Sequence, residues 1–328
     1  MALSMFLRVV NTMSGVLGIL GNGLVSAVIA AEPSMHTTTN ALIVHQAVID
    51  LLGSVFTLLH EYLPPYNPAL PGVWGHFLCS FWNTKYFLLN FFFLSTYSLL
   101  AVTFERFLAI VYPYRYQRVF GNKMTVGGIL ACIWIIVVTF RMYVFFQWSV
   151  NEGGWCVAAP NGKGVAVVIF LLQYAVPLAL MTLMYAGIAL ELSRSARRIL
   201  PSATDPGSQT GRNEQGASLL RARRNIFKAL LIVFVTFIIC WTLNQFLFFL
   251  HNLGVRKLNF TSTIYVISVA LISLNVFVNP VIYSFKYKKF QRAMRRLFYR
   301  LTGRKDQLSA MEDTAATGMA SNSVAQQS

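Results

Sequence analysis

Asn279-Pro280-Val281-Ile282-Tyr283-Ser284-Phe285-Lys286-Tyr287-Lys288-Lys289-Phe290 closes the last long apolar run of the chain and turns it cationic within a few residues. The proline removes one helix hydrogen bond and bends the run. The asparagine before it sets an amide deep in apolar surroundings, where an unsatisfied polar group is expensive. Outward from this stretch the whole chain is apolar. Hydrophobic residues make up 56% and charged residues 12% of 328, against about 25% charged in soluble domains. A hydrocarbon core of about 30 Å needs roughly 20 apolar residues per helix. Seven runs meet that length, at about 6–31, 39–62, 80–108, 124–147, 165–191, 225–250 and 262–285. Buried helices of a large soluble protein would need polar faces that these runs lack. The expectation is an all-α membrane protein, a seven-transmembrane helix bundle occupying residues 1–301.

The cations set the orientation. Of the 27 Lys and Arg, 21 fall in the connections after runs three and five, at the adjoining helix ends, and from Lys286 to Lys305. The positive-inside rule puts these in the cytoplasm, with the N-terminus outside and the C-terminus inside. The net charge of +16 is then a topology signal and an attraction to anionic inner-leaflet lipid, not a mark of nucleic-acid binding. No cationic n-region with a small-residue cleavage site precedes run one, so that run is expected to insert itself. Residues 193–224, with Pro201 and Pro206 among small polar residues, read as a flexible linker. Between about 287 and 301, Phe290, Met294, Leu297, Phe298 and Leu301 share one face opposite Lys and Arg, an amphipathic helix on the inner membrane surface. Residues 302–328 are small and polar and read as a disordered tail. Its Ser309, Thr314, Thr317, Ser321 and Ser323 are candidate phosphorylation sites for recruiting arrestin.

Several boxes recur at fixed places in the runs. Gly21-Asn22 stands in run one, with Asn40 and Asp50 ten apart in run two. Glu105-Arg106-Phe107 ends run three, Trp134 sits in run four, and Pro177 precedes Tyr185 by eight in run five. Phe237, Cys240 and Trp241 lie in run six, and Asn275, Asn279, Pro280 and Tyr283 in run seven. Each box alone is weak. In this order, across roughly residues 10–300, the set closely resembles the rhodopsin-like (class A) G-protein-coupled receptors, invertebrate orphan members in particular.

The resemblance implies roles for these residues. Glu105, Arg106, Phe107, Tyr185, Phe237, Trp241, Asn279, Pro280 and Tyr283 would carry activation and coupling to a heterotrimeric G protein. Arg106 would be held by its neighbouring carboxylate at rest, and Tyr185 and Tyr283 would meet around it on activation. Leu243 stands where the family has a proline in run six, so that helix should be unbroken. Arg223 and Arg224 at the base of run six offer no acid to Arg106, so no bridge between runs three and six is expected and the resting state should be loosely held. Cys79 and Cys156 both face the oxidising side and match the family's structural disulfide. Arg106 follows Cys79 by 27 positions, a longer spacing than the family usually shows, which predicts a reshaped outer start of run three. Cys132 and Cys240 read as small buried apolar residues. Asp50 with Ser95, Asn275 and Asn279 matches the positions that hold a sodium ion in relatives, and these oxygen donors suit a hard cation.

For the ligand, Leu88 replaces the Asp that amine receptors carry, and run seven has no lysine for retinal. Lys85, Leu88, Phe92, Asn244, Gln245, Phe248 and Val269 are the candidate lining, which favours an extracellular peptide or small polar molecule over a monoamine. Asn259-Phe260-Thr261 is a glycosylation sequon. No cofactor other than the sodium ion is expected. The five His have no metal-ligand spacing and no catalytic set converges, so enzyme chemistry is not expected. The alternative is a membrane transporter or a non-signalling receptor-like protein, but paired broken helices are not seen, since the Pro177 and Pro280 segments are dissimilar.

Overall fold

A computed structural model describes residues 2–63, 65, 72–158, 162–199 and 210–304. Seven helices are long and apolar enough to cross a membrane: α1 (Leu3–Ala31), α2 (Thr38–Tyr62), α3 (Tyr86–Val111), α4 (Lys123–Gln147), α5 (Lys163–Arg197), α6 (Arg223–Asn252) and α7 (Thr263–Lys286). An eighth, α8 (Lys288–Leu301), follows after Tyr287. α1 packs on α2 and α7, α6 lies between α5 and α7, and α3 touches α2, α4 and α5. The expected seven-helix bundle is therefore observed.

Local chemistry explains the ends. Thr37 accepts from Asn40 N–H, Asn122 from Met124 N–H and Ser262 from Tyr265 N–H, capping α2, α4 and α7 in the manner of N-cap side chains. α8 buries Phe290 and Ala293 and exposes Phe298 and Leu301. Arg296 bonds Glu32 at 3.2 Å, tying α8 to the α1–α2 connection.

Three expectations need correction. Run three was expected from about residue 80, but α3 begins at Tyr86. A π turn at Leu78–Asn83 and the left-handed Lys85 (φ 55°) precede it. This break absorbs the long Cys79–Arg106 spacing. The connection after α5 is not all linker: the sixth helix extends back to Thr210, so 210–224 is helical, whereas 200–209 and the tail from 305, with its phosphorylation candidates, lie outside the described residues. Cys132 is exposed on the outside of the bundle rather than buried, while Cys240 is buried.

Two prolines find different accommodations. Pro177 follows a π turn at Leu171–Ala175, where the widened backbone absorbs the missing N–H. Pro280 stays inside α7, and its solution is supplied by another helix. The sixth helix runs unbroken from Thr210 to Asn252, as Leu243 in place of proline predicts.

Candidate functional site: a transmembrane polar spine and a basic crevice

Helical hydrogen bonding needs an N–H at residue i for the carbonyl at i−4. Pro280 has none, so the Val276 carbonyl loses its partner. Asn22 of α1 donates to that carbonyl at 2.7 Å and to Gly18 O at 2.9 Å. The approach needs Gly21, because a Cβ there would stand 2.9 Å from Pro280 Cβ. Gly21-Asn22 and Asn279-Pro280 thus form one joint.

One turn inward, Asp50 is 2% exposed. Its Oδ1 accepts from Ser95 Oγ at 2.7 Å, and its Oδ2 from Asn279 Nδ2 at 2.9 Å and Gln46 Nε2 at 3.0 Å. Asn275 is buried nearby in α7 but is not among these partners. The carboxylate thus joins α2, α3 and α7. Toward α4, Trp134 Nε1 donates to His45 Nε2 at 3.0 Å, while His45 Nδ1 meets Ser98 Oγ at 2.9 Å.

At the Arg106 end, Glu105 is fully buried and Arg106 partly so. Arg106 donates to both Glu105 oxygens and to Thr39 Oγ1, and Thr39 also donates to Glu105 at 3.0 Å. A buried carboxylate is thereby compensated by charge and hydrogen bonds. Tyr185 does not join Arg106: its hydroxyl donates to Leu230 O of α6 at 2.9 Å. Phe107 packs toward Gly187 of α5. The ion pairs Arg8–Glu61, Arg106–Glu105 and Arg296–Glu32 do not join α3 to α6.

A cavity of about 590 Å³ opens beside Arg106. Thr39, Tyr116, Leu230 and Tyr283 line it, together with the exposed Lys286, Lys288, Lys289 and Arg292. Tyr287 donates to Asn40 Oδ1 at 3.2 Å, while Asn40 holds Met35 O at 2.6 Å. Burial raises the phenol pKa values of Tyr116 and Tyr287 above their ordinary value, so both remain neutral.

At the opposite end, Cys79 and Cys156 form a disulfide with Cα atoms 5.6 Å apart. Cys156 opens a strand, Cys156–Ala158, antiparallel to Trp148–Val150. Below it, Phe92 stands edge-on to Trp241 with ring centroids 6.0 Å apart, and Trp241 lies 5.9 Å from Phe237. Asn244 donates to Ser268 at 3.1 Å, and Phe248 meets Tyr265 at 6.1 Å. Leu88 and Gln245 are buried, Val269 is half-buried and Lys85 is exposed. Asn259 is exposed, its Oδ1 accepting from Thr261.

Gln46, Thr39 and His45 were missed in the sequence. Gln46 stands one helical turn before Asp50, a spacing that places both on one face. Thr39 and His45 carry no comparable signal, because their partners Glu105, Ser98 and Trp134 lie on other helices.

The chain matches the model of the 7 transmembrane receptor (rhodopsin family) over residues 21–283. It is 29% identical to the Allatostatin-A receptor of Bombyx mori over 297 residues, covering 87% of this chain and 77% of that one. It is 28% identical to the Substance-K receptor of Mus musculus over 298 residues, 85% and 72% respectively. The Neuromedin-K receptor of Cavia porcellus is 26% identical over 294 residues, 85% and 62%. With the seven spans, the joint at Pro280 and the Glu105–Arg106 pair in place, the chain belongs to the rhodopsin family of seven-transmembrane, G-protein-coupled receptors, a family of signalling proteins rather than enzymes.

Proposed function

We propose that this receptor answers a peptide at its disulfide-bonded end and activates a heterotrimeric G protein through the crevice at Arg106. The observation that carries the coupling half is the crevice itself. Its lining combines the partly buried Arg106 guanidinium with four exposed cations, which suits a helix ending in a carboxylate. The relatives' names, allatostatin-A, substance K and neuromedin K, point to peptide ligands. The aromatic and amide side chains of Phe92, Trp241, Asn244 and Phe248, gathered toward the disulfide-bonded end, support such a ligand, since they pair apolar groups with amides able to bond a peptide backbone.

The excess of cations at the Arg106 end supports placing that end in the cytoplasm of a plasma-membrane receptor, with the N-terminus outside. The exposed Phe298 and Leu301 of α8, among Lys and Arg, fit insertion into the inner leaflet. Arrestin would engage the same crevice and the phosphorylatable tail.

In the resting arrangement Arg106 is engaged by Glu105 and Thr39, and Tyr185 bonds α6. Activation would release Arg106 into the crevice. The test is a G-protein sensor panel in cells bearing epitope-tagged receptor, with Arg106→Ala at matched surface density. The cells are exposed to allatostatin-A, substance K, a wider peptide library and a library of small polar molecules. A peptide response lost in Arg106→Ala supports both halves of the reading. A peptide response intact in Arg106→Ala refutes the coupling face. Responses only to small non-peptide molecules refute the peptide assignment.

A further inference from the structure

Gln46 lies one turn before Asp50 on α2 and is 2% exposed. A carboxamide nitrogen carries two hydrogens, and both are in use. One goes to Asp50 Oδ2 at 3.0 Å and the other to Ser95 Oγ at 2.6 Å. Ser95 passes its own hydroxyl hydrogen to Asp50 Oδ1 at 2.7 Å. The three side chains therefore close a ring, and Asn279 adds a further N–H to Oδ2 at 2.9 Å. Every group around the carboxylate turns a hydrogen toward it.

A sodium ion needs oxygen lone pairs from its ligands, and this arrangement offers the opposite. For a cation to sit against Asp50, Ser95 must turn its hydrogen away and the Gln46 nitrogen must leave. The orientation of the amide follows from the bonds it makes rather than from its shape, and here the carboxylate dictates it. Turning Oε1 toward Asp50 would set two acceptors face to face without a cation or proton between them. The amide hydrogens and a cation are alternative occupants of one place.

We infer that Gln46 is a tethered replacement for the cation that the resemblance to the family leads one to expect. The amide hydrogens of its NH₂ stabilise the Asp50 carboxylate where a cation would otherwise sit and link α2 to α3 through Ser95, so that sodium does not regulate this receptor. The buried Gln46 Oε1, which has no protein hydrogen-bond partner, is the atom that would become a cation ligand if the amide turned over. It gives the opposing reading a definite form.

The test uses the purified full-length receptor in detergent and reads its apparent melting temperature in NaCl against equal choline chloride and KCl. The wild type should show the same value in all three salts. Gln46→Ala and Gln46→Leu, which remove the amide, should each gain a sodium-specific rise, because an ion that binds only the folded state stabilises it by mass action. Adding Asp50→Asn should abolish that rise. A sodium-specific rise in the wild type that disappears in Gln46→Ala would overturn the inference and make Oε1 a ligand. A wild-type rise that survives in Gln46→Ala would also overturn it. Folded variants that stay indifferent to sodium, like the wild type, would show that Gln46 is not what excludes the ion. If one variant does not fold, the wild type and the other variant still decide.

Discussion

Asn22→Ala removes the amide that serves the Val276 carbonyl, the acceptor stranded by Pro280. The carbonyl is buried between α1 and α7, so its loss should cost about 1–3 kcal/mol if nothing replaces the partner. Measured interhelical hydrogen bonds in membranes average only about 0.6 kcal/mol, with a maximum near 1.7. Asn22 is 1% exposed and serves this carbonyl at 2.7 Å, so a value near the top of that range, about 1.5 kcal/mol, is expected. The cause is isolated by Pro280→Ala, which returns an N–H to residue 280 and lets α7 satisfy Val276 itself. In that background Asn22→Ala should cost no more than about 0.5 kcal/mol, leaving a coupling of roughly 1 kcal/mol between two residues on different helices. The assay is the apparent melting temperature of purified receptor by tryptophan fluorescence, for wild type, both single variants and the double. A kcal/mol corresponds to about 2–4 °C for domains of 150–250 residues, so a shift of a few degrees is expected for Asn22→Ala alone. Losses that add to within about 0.3 kcal/mol would mean that Asn22 does not compensate the proline, and would refute the reasoning.

Glu105→Gln removes the carboxylate charge and one of the two oxygens that accept from Arg106, a loss of about 1.5–3 kcal/mol. Losing most of that hold should raise basal G-protein signalling roughly ten-fold, whereas Thr39→Ala, which loses one bond to each of these side chains but keeps their ion pair, should raise it only a few-fold. An unchanged basal signal at normal surface density would count against the restraint. Cys79→Ser and Cys156→Ser should each lose about 2–5 kcal/mol, seen as a matching fall in surface expression, and the double variant should add little; additive losses would deny the shared bond. Phe298→Ser with Leu301→Ser should weaken binding of a synthetic α8 peptide to anionic vesicles by at least ten-fold, since each buried side chain contributes about 1.5–3 kcal/mol; equal binding would show that α8 meets the membrane through charge alone.

How much was readable in the chain differs from residue to residue. Seven runs of apolar residues could be counted because hydrocarbon thickness sets a length that soluble helices need not meet. Asn279-Pro280 and Glu105-Arg106 were legible because proline and buried charge are costly in such runs wherever they occur. The ends of α3 and of the sixth helix were not. Hydropathy does not register the π turn at Leu78–Asn83, nor the left-handed Lys85 that shortens α3. The polar composition before Arg223 did not reveal the helix that starts at Thr210.

The sequence by itself determined that the chain crosses a membrane seven times, where its polar residues had to be compensated, and which two cysteines face the same side. Only the tertiary structure decided who compensates whom. Asn22 serves a carbonyl 254 positions away, Thr39 shares Glu105 with Arg106, and Gln46 stands against Asp50 where oxygen ligands for an ion were expected. The physical reason is that a buried polar group states a need through its own chemistry, while the partner that meets it is fixed by how helices pack in three dimensions.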